Sequence, residues 1–377
     1  MVSENVDEFR TQALDYQEVI ANQGNLDLIL MPNEDCNFRC KYCYESFSRS
    51  FMNPEVQEGV INFVKRELKT TNAVNIDWFG GEPLTAFPIV KHLSEELMSL
   101  CRAARVPYTA GITTNGYHLT LDVFKELRNF HVLNYQVTLD GLQQTHDLTR
   151  VTIDGKGTFD TIINNLRRIR DNVKSIAFNI MLRTNFSTII LDTVDAYVDF
   201  MLKEFGDDRR FTFLWREQDD WGGDSVAFVK DTFCNARDVI QEMMKATEKN
   251  LPMGANIETG FYTAVCYAAK QNSYVIGSDG VVYKCTVGFD LEDNQVGFLA
   301  KDGTMYLDAN KLAIWVTGHE TDDPTCQRCF FRPSCHGAAC PLYRLKTGDR
   351  GCPSAKTNIK EYVKLAAATS RELIQIH

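Results

Sequence analysis

Three cysteines fall within one short stretch, Cys36-Asn-Phe-Arg-Cys40-Lys-Tyr-Cys43, with three residues between the first pair and two between the second. A loop that short can bring three thiolates to one metal cluster and offers no fourth. One iron of a 4Fe-4S cube would then stay open, and an open iron is where chemistry can happen. A zinc knuckle, or cysteines gathered by chance, is the structural alternative. A second constellation lies towards the carboxyl end. Cys266 is followed by 13 residues, Gly280, four residues and Cys285; then come Cys326, Cys329, Cys335 and Cys340, separated by two, five and four residues, and finally Cys352. Seven thiolates cannot be spent on one cluster, and a pair of structural zinc sites is the plainer alternative for CxxC spacing. Cys101 and Cys234 stand apart and are expected in the core or at the surface with no cluster role.

The chain must be folded so that these groups can meet, and its apolar pattern says how. Leu26 to Met31 reads as a strand that runs straight into the first cysteine loop. Asn53-Pro54-Glu55 reads as an N-cap, a first-turn proline and an early acid, and Val56, Val60, Phe63, Val64 and Leu68 keep a helical period behind it. Further strands are expected over Val74 to Phe79, Tyr108 to Thr113, Tyr135 to Leu139, Ile176 to Leu182 and Phe211 to Trp215, with helices from about Phe87, Leu121 and Thr158 and after the last two strands. Six βα units in about 220 residues imply an α/β fold, a parallel sheet curled into a partial (β/α)6 barrel. Active sites of such folds lie at the carboxyl ends of the strands.

Other residues with chemical capacity sit at those ends. Gly80-Gly81-Glu82-Pro83 follows the second strand; its glycines let a ligand approach the backbone, and its acid can accept from an ammonium group. A simple turn is the alternative. Thr113-Thr-Asn115-Gly116 follows the third strand, and Thr138-Leu-Asp-Gly141 follows the fourth, with His146-Asp-Leu-Thr-Arg150 close behind. Beyond Glu217 the strand pattern lapses into a glycine-rich acidic loop, Asp219 to Asp224, and then an amphipathic helix through Met244. That acidic loop can bind substrate or simply be solvated.

Composition narrows the function further. The 377 residues are 44% hydrophobic, enough for two domains with real cores. The formal charge of -10 is interspersed and contains no basic block, which argues against nucleic acid as a partner. No apolar run approaches a membrane span, and the acidic amino terminus is unlike a signal peptide. The chain reads as cytoplasmic, and grouping of ten of the 12 cysteines suits metal ligation in a reducing compartment.

The CxxxCxxC spacing, with the aromatic Tyr42 before the last cysteine, resembles the signature of the radical S-adenosylmethionine (SAM) enzymes. In that family SAM binds the unique iron, and an electron from the cluster cleaves it to methionine and a 5'-deoxyadenosyl radical. Gly80, Gly81, Glu82 and Pro83 resemble the motif that holds the SAM amino group, and Asn115 lies in a turn resembling the family's TNG. By the same resemblance Thr138 hydrogen-bonds SAM and Arg150 meets its carboxylate; a solvated loop arginine is the alternative. The later cysteines resemble the SPASM domain, written CX9-15GX4C, CX2CX5CX3C and a last C. The four residues between Cys335 and Cys340, where three are usual, should alter the loop and not the ligand count. The resemblance assigns Cys326, Cys329, Cys335 and Cys352 to auxiliary cluster II, and Cys266, Cys285 and Cys340 to auxiliary cluster I.

This implies an amino-terminal extension over 1–25, the barrel over 26–216, a bridge over 217–260 and a SPASM domain with a carboxyl-terminal helix over 261–377, using SAM and three 4Fe-4S clusters. The expected function is maturation of a ribosomally made precursor peptide by hydrogen-atom abstraction and crosslinking, as in a thioether. Carbon–carbon crosslinking is one alternative. Anaerobic sulfatase maturation to formylglycine is another, although such maturases carry an Asp directly after the GX4C cysteine, where this chain has Thr286. A zinc-stabilised binding module without radical chemistry is the reading from a different class. A flavodoxin- or ferredoxin-type one-electron reductant is expected, and, with 35 residues before Cys36, the peptide's leader is held either by the barrel and bridge or by a separate leader-binding protein. Sulfatase maturases add a cysteine shortly before the GX4C glycine, and the interval from Tyr267 to Asp279 has none. The free iron of auxiliary cluster I would take a substrate cysteine, or be closed by Cys234 or a non-cysteine ligand.

Overall fold

The computed structural model describes residues 8–253, 265–317, 323–335 and 340–375. Six strands, β1 (Asn25–Asn33), β2 (Ala73–Gly80), β3 (Tyr108–Thr114), β4 (Val132–Thr138), β5 (Asn179–Phe186) and β6 (Phe211–Glu217), pair in sequence order, each parallel to the next. β1 buries both faces: Leu26, Leu28 and Leu30 pack under the helices, and Ile29 and Met31 pack on the other side with Val275 and Tyr283. A strand covered on both sides reads as an unbroken apolar run, as this one does. The helix Pro54–Glu67 begins as its sequence predicts, with Asn53 accepting from Val56 N and Val56, Val60, Phe63 and Val64 buried.

Two strands differ from their expected ranges by three residues or more at an end. β4 starts at Val132, which pairs with Ala110 across a register shift. β5 starts at Asn179 and continues to Phe186, because Ile176 is exposed and Ala177 N turns back onto Ser175 Oγ. Its buried face takes in Thr184, whose hydroxyl is paired with that of Tyr197 at 3.0 Å. A hydrogen-bonded threonine can occupy a core position that hydropathy does not reveal.

The sheet does not end with the barrel strands. β7 (Ser273–Ile276) pairs parallel with β1, and β8 (Val281–Tyr283), β9 (Gln295–Leu299) and β10 (Met305–Leu307) continue antiparallel, making one ten-stranded sheet. A charged strap ties the extension to the loops flanking the first cysteines. Arg49 donates to Glu34 (2.7 Å), Asp279 (3.0 Å) and the Tyr283 hydroxyl (2.8 Å), and buried Glu34 accepts from Ser278 N and Oγ at 2.7 Å each.

The helix Ala236–Glu248, expected to end near Met244, packs on β6 and on the helix Ile359–Gln375. Residues 254–260 of the expected bridge, 1–7 of the amino-terminal extension and 336–339 between Cys335 and Cys340 lie outside the described residues. Cys101 and Cys234 are both buried, the latter donating to Phe186 O at 3.3 Å. Among the described residues no helix is long and apolar enough to cross a membrane.

Candidate active site

β1 delivers the chain into the first cysteine loop, which is zipped along residues 149–153. Arg39 N donates to Val151 O (2.9 Å), Lys41 N to Thr149 O (2.9 Å), and Ile153 N to Asn37 O (3.1 Å). Phe38 is buried beneath the loop, edge-on to Tyr117. Gly80, at φ +112°, and Gly81 cross close by, and a Cβ on them would lie 2.3 Å from Asn33 O and 2.4 Å from Asp35 O. The close approach that these glycines permit is therefore to the chain entering the cysteine loop, where sequence alone points to a ligand. Gly223, from the acidic loop after β6, presses on the other side, its Cβ position 2.8 Å from Cys43 O. Asp219 and Asp220 of that loop are exposed, and Asp220 pairs with Lys230 at 2.6 Å.

Cys36, Cys40 and Cys43 are half-buried and near enough to disfavour one another's thiolates. Burial, followed by Cys40, pushes the Cys43 thiol up to about 12; burial and then Glu82 push Cys36 higher still. Three thiols in this state need a cationic group between them to ionise together.

Glu82 is fully buried. Its Oε1 accepts from Leu84 N (3.0 Å) and Thr114 Oγ1 (2.6 Å), and its Oε2 from Asn115 N (2.7 Å), so it caps the short helix Pro83–Ala86 and ties β2 to the turn after β3. One acceptor position remains on Oε2. Asn115 in turn donates to Asn37 Oδ1 at 2.8 Å and faces Cys36 Sγ at 3.8 Å. Thr138 ends β4, paired with Arg183 of β5.

Arg150 is buried rather than solvated. It donates through Nη1 to the Tyr42 hydroxyl (2.7 Å), lies over the Phe38 ring, and has a buried Nε without a partner. Burial opposes its charge, but Tyr42, Cys40 and Asp140 outweigh that and hold it firmly protonated. Sequence reasoning passed over Asp140 and Asn185. Asp140 accepts from Tyr42 and from Asn185 N (2.8 Å), and Asn185 Nδ2 donates to the same phenol (3.2 Å). Asp140 lies within the quoted turn motif; nothing in the sequence signals Asn185.

The carboxyl-terminal thiols form two sets. Cys326, Cys329, Cys335 and Cys352 line one small cavity together with Arg332, Arg344, Arg350 and Lys356, whose Nζ stands 3.5 Å from Cys352 Sγ. Cys266 and Cys285 lie close enough to Cys340 for its charge to raise both their pKa values, after burial, which pushes Cys285 up to about 12. Tyr267 reaches the same place, 4.0 Å from Cys285 Sγ and 2.8 Å from the Thr286 hydroxyl. Cys234 lies elsewhere, against β5. Among the described residues no three His, Cys, Asp or Glu side chains converge as they would on a single metal ion. Thiolates on separate irons of a cluster are not required to.

Residues 30–194 match the model of the radical SAM superfamily. The chain carries a radical SAM domain. Two curated radical SAM relatives are each 25% identical. One is the cyclopropyl synthase TigE of Paramaledivibacter caminithermalis, matched over 68% of this chain and 56% of that protein. The other is a cysteine-type anaerobic sulfatase-maturating enzyme of Clostridium novyi, matched over 82% and 87%. The fold matches the solved structure of anSMEcpe with bound AdoMet and Cp18Cys peptide at a TM-score of 0.66, with 19% identity over 93% of this chain and 98% of that one. This radical SAM chain is thus related to peptide and sulfatase maturases.

Proposed function

We propose that this enzyme matures a cysteine-containing peptide, joining the cysteine sulfur to a carbon of the same chain as a thioether. The residues present fit the required cofactors. Cys36, Cys40 and Cys43 would hold the SAM-cleaving 4Fe-4S cluster, Glu82 would offer its remaining lone pair to the SAM ammonium, and the orphaned Nε of buried Arg150 would meet its carboxylate. Tyr42, Asn115 and Thr138 would complete that pocket, with Gly80, Gly81 and Pro83 shaping its wall. Cys326, Cys329, Cys335 and Cys352 would hold one auxiliary cluster, and Cys266, Cys285 and Cys340 a second. When bound, cluster and SAM supply a 5'-deoxyadenosyl radical able to take a hydrogen atom from carbon.

The observation that carries the thioether reading is the set of Cys266, Cys285 and Cys340, with Cys234 held away from it by Phe186 O. A substrate cysteine that completes the set would be ionised and fixed beside the carbon to be attacked. Sulfatase maturation is disfavoured by Thr286, a neutral hydroxyl engaged with Tyr267 where a base would stand. The peptide substrate, a flavodoxin- or ferredoxin-type reductant and a cytoplasmic setting belong to this proposal. The test is anaerobic incubation of the reduced enzyme with SAM and each short cysteine-containing peptide encoded beside its gene. A product lighter by a pair of hydrogens and resistant to thiol alkylation is expected. Formylglycine in a sulfatase peptide would overturn the reading.

A further inference from the structure

A cavity of about 670 Å³ opens where the carboxyl ends of β5 and β6 face the carboxyl-terminal cysteines. Arg183 and Arg216 lie on its barrel side, Trp221 and Tyr343 give it aromatic wall, and Cys340 and Cys352 stand opposite. The two arginines share a face of the sheet. Arg216 is in register with Asn185, and Arg183 precedes Asn185 by one alternation, while the intervening Thr184 points into the core. Arg183 Nε donates to Asn185 Oδ1 at 3.0 Å. Neither guanidinium forms an ion pair among the described residues, although Glu217 and Asp219 also line the cavity. Arg350, the third arginine there, is already matched to Asp323. Burial and the charge of Arg216 depress the Arg183 pKa, against the opposing influence of Tyr44, Tyr42 and Asp140. Asp140 is already shared with Tyr42 and Asn185, so two half-buried like charges side by side with no ion pair of their own favour an anion that joins them.

We propose that Arg183 and Arg216 form a subsite that seats a carboxylate of the peptide substrate. This rests on the peptide-maturase reading and deepens it. Planar guanidinium forks suit a carboxylate bound in bidentate fashion, and a peptide anchored there would run between the barrel mouth and Cys340. SAM does not need these two groups, because Arg150 beside the first cysteine loop is available for its carboxylate. The source of the peptide carboxylate is either an Asp or Glu side chain or the free carboxyl terminus.

The test is affinity selection with the full chain, anaerobic, cluster-loaded and saturated with SAM. The probe is a library of short synthetic peptides, each with one cysteine, made once with free carboxyl termini and once amidated. Retained peptides should be enriched in Asp or Glu at a fixed distance from the cysteine in both pools, or retained from the free-acid pool alone if the terminus is the anchor. Arg183→Gln and Arg216→Gln should abolish that preference and weaken an enriched peptide roughly tenfold or more. SAM affinity and iron content should stay at wild-type values, and Arg216→Lys should fall between. Retained peptides without any acid preference would overturn the subsite while leaving the maturase reading standing. A loss of SAM affinity in the variants with peptide affinity unchanged would overturn it too. Retention of no peptide at all by the wild type would remove both.

Discussion

The two cysteine regions of this enzyme are built in opposite ways. The loop of Cys36, Cys40 and Cys43 is held by residues from many elements: β1 delivers it, residues 149–153 zip along it, and Gly80, Gly81 and Gly223 press their backbones against it. The segment carrying Cys326, Cys329 and Cys335 instead consists of short turns bonded locally, Cys329 N to Cys326 O, Arg332 N to Cys329 O and Cys335 N to Phe331 O. Phe331 packs with Ile240 and Tyr362 of the two long helices, and Arg350 pairs with Asp323 at the surface. Long-range backbone bonds pre-organise a site before its ligand arrives. Local turns with a small packed patch hold less firmly, so there a bound cluster would supply more of the folding energy.

The largest effect expected from this contrast is on the metal-free protein. Chelation should leave amides of β1 to β6 protected from hydrogen exchange while those of residues 323–335 lose most of their protection; equal protection of both regions would break the comparison. Next comes chemistry. Replacing Cys36, Cys40 and Cys43 together by Ala should, on the proposed assignment of three cubes, retain about two-thirds of the iron yet yield no 5'-deoxyadenosine with dithionite, because the proposed SAM pocket lies beside the first cysteine loop. Glu82→Gln should cost about 1–3 kcal/mol of stability, since an amide nitrogen would face one of three buried donors. It should also weaken SAM by on the order of tenfold, with thermal melting and calorimetry as the readouts. The smallest change is expected for Asp323→Asn: an exposed pair is worth at most about 1 kcal/mol, so the melting temperature of the loaded enzyme should barely move. A large loss would mean that the pair, and not the cluster, holds this segment.

Much of this was legible in the sequence, and the failures have physical causes. The strand–helix alternation fixed the order of β1 to β6 because parallel strands covered by helices must be apolar along their length. The extension of the sheet by β7 to β10 was not legible, since strands such as Ser273–Ile276 and Val281–Tyr283 are short and interrupted by turns. The first cysteine loop and its partner motifs could be read as residue types. What Glu82 does could not, because a carboxylate that accepts from three buried donors is indistinguishable in sequence from one left free for a ligand. Asn185, Arg183 and Arg216 escaped for a similar reason: they become neighbours through register between β5 and β6, and register is a property of the sheet.

The account turns on Cys266, Cys285 and Cys340 leaving a place for a substrate cysteine. The most direct measurement is the electron paramagnetic resonance spectrum of the reduced variant lacking Cys36, Cys40 and Cys43, in which the auxiliary clusters alone report. Adding a cysteine-containing substrate peptide should shift the signal of one auxiliary cluster, and the same peptide with Cys→Ser should leave it unchanged. A spectrum indifferent to both peptides, with the cysteine peptide shown to be bound, would mean that the protein already supplies every ligand and would contradict the account.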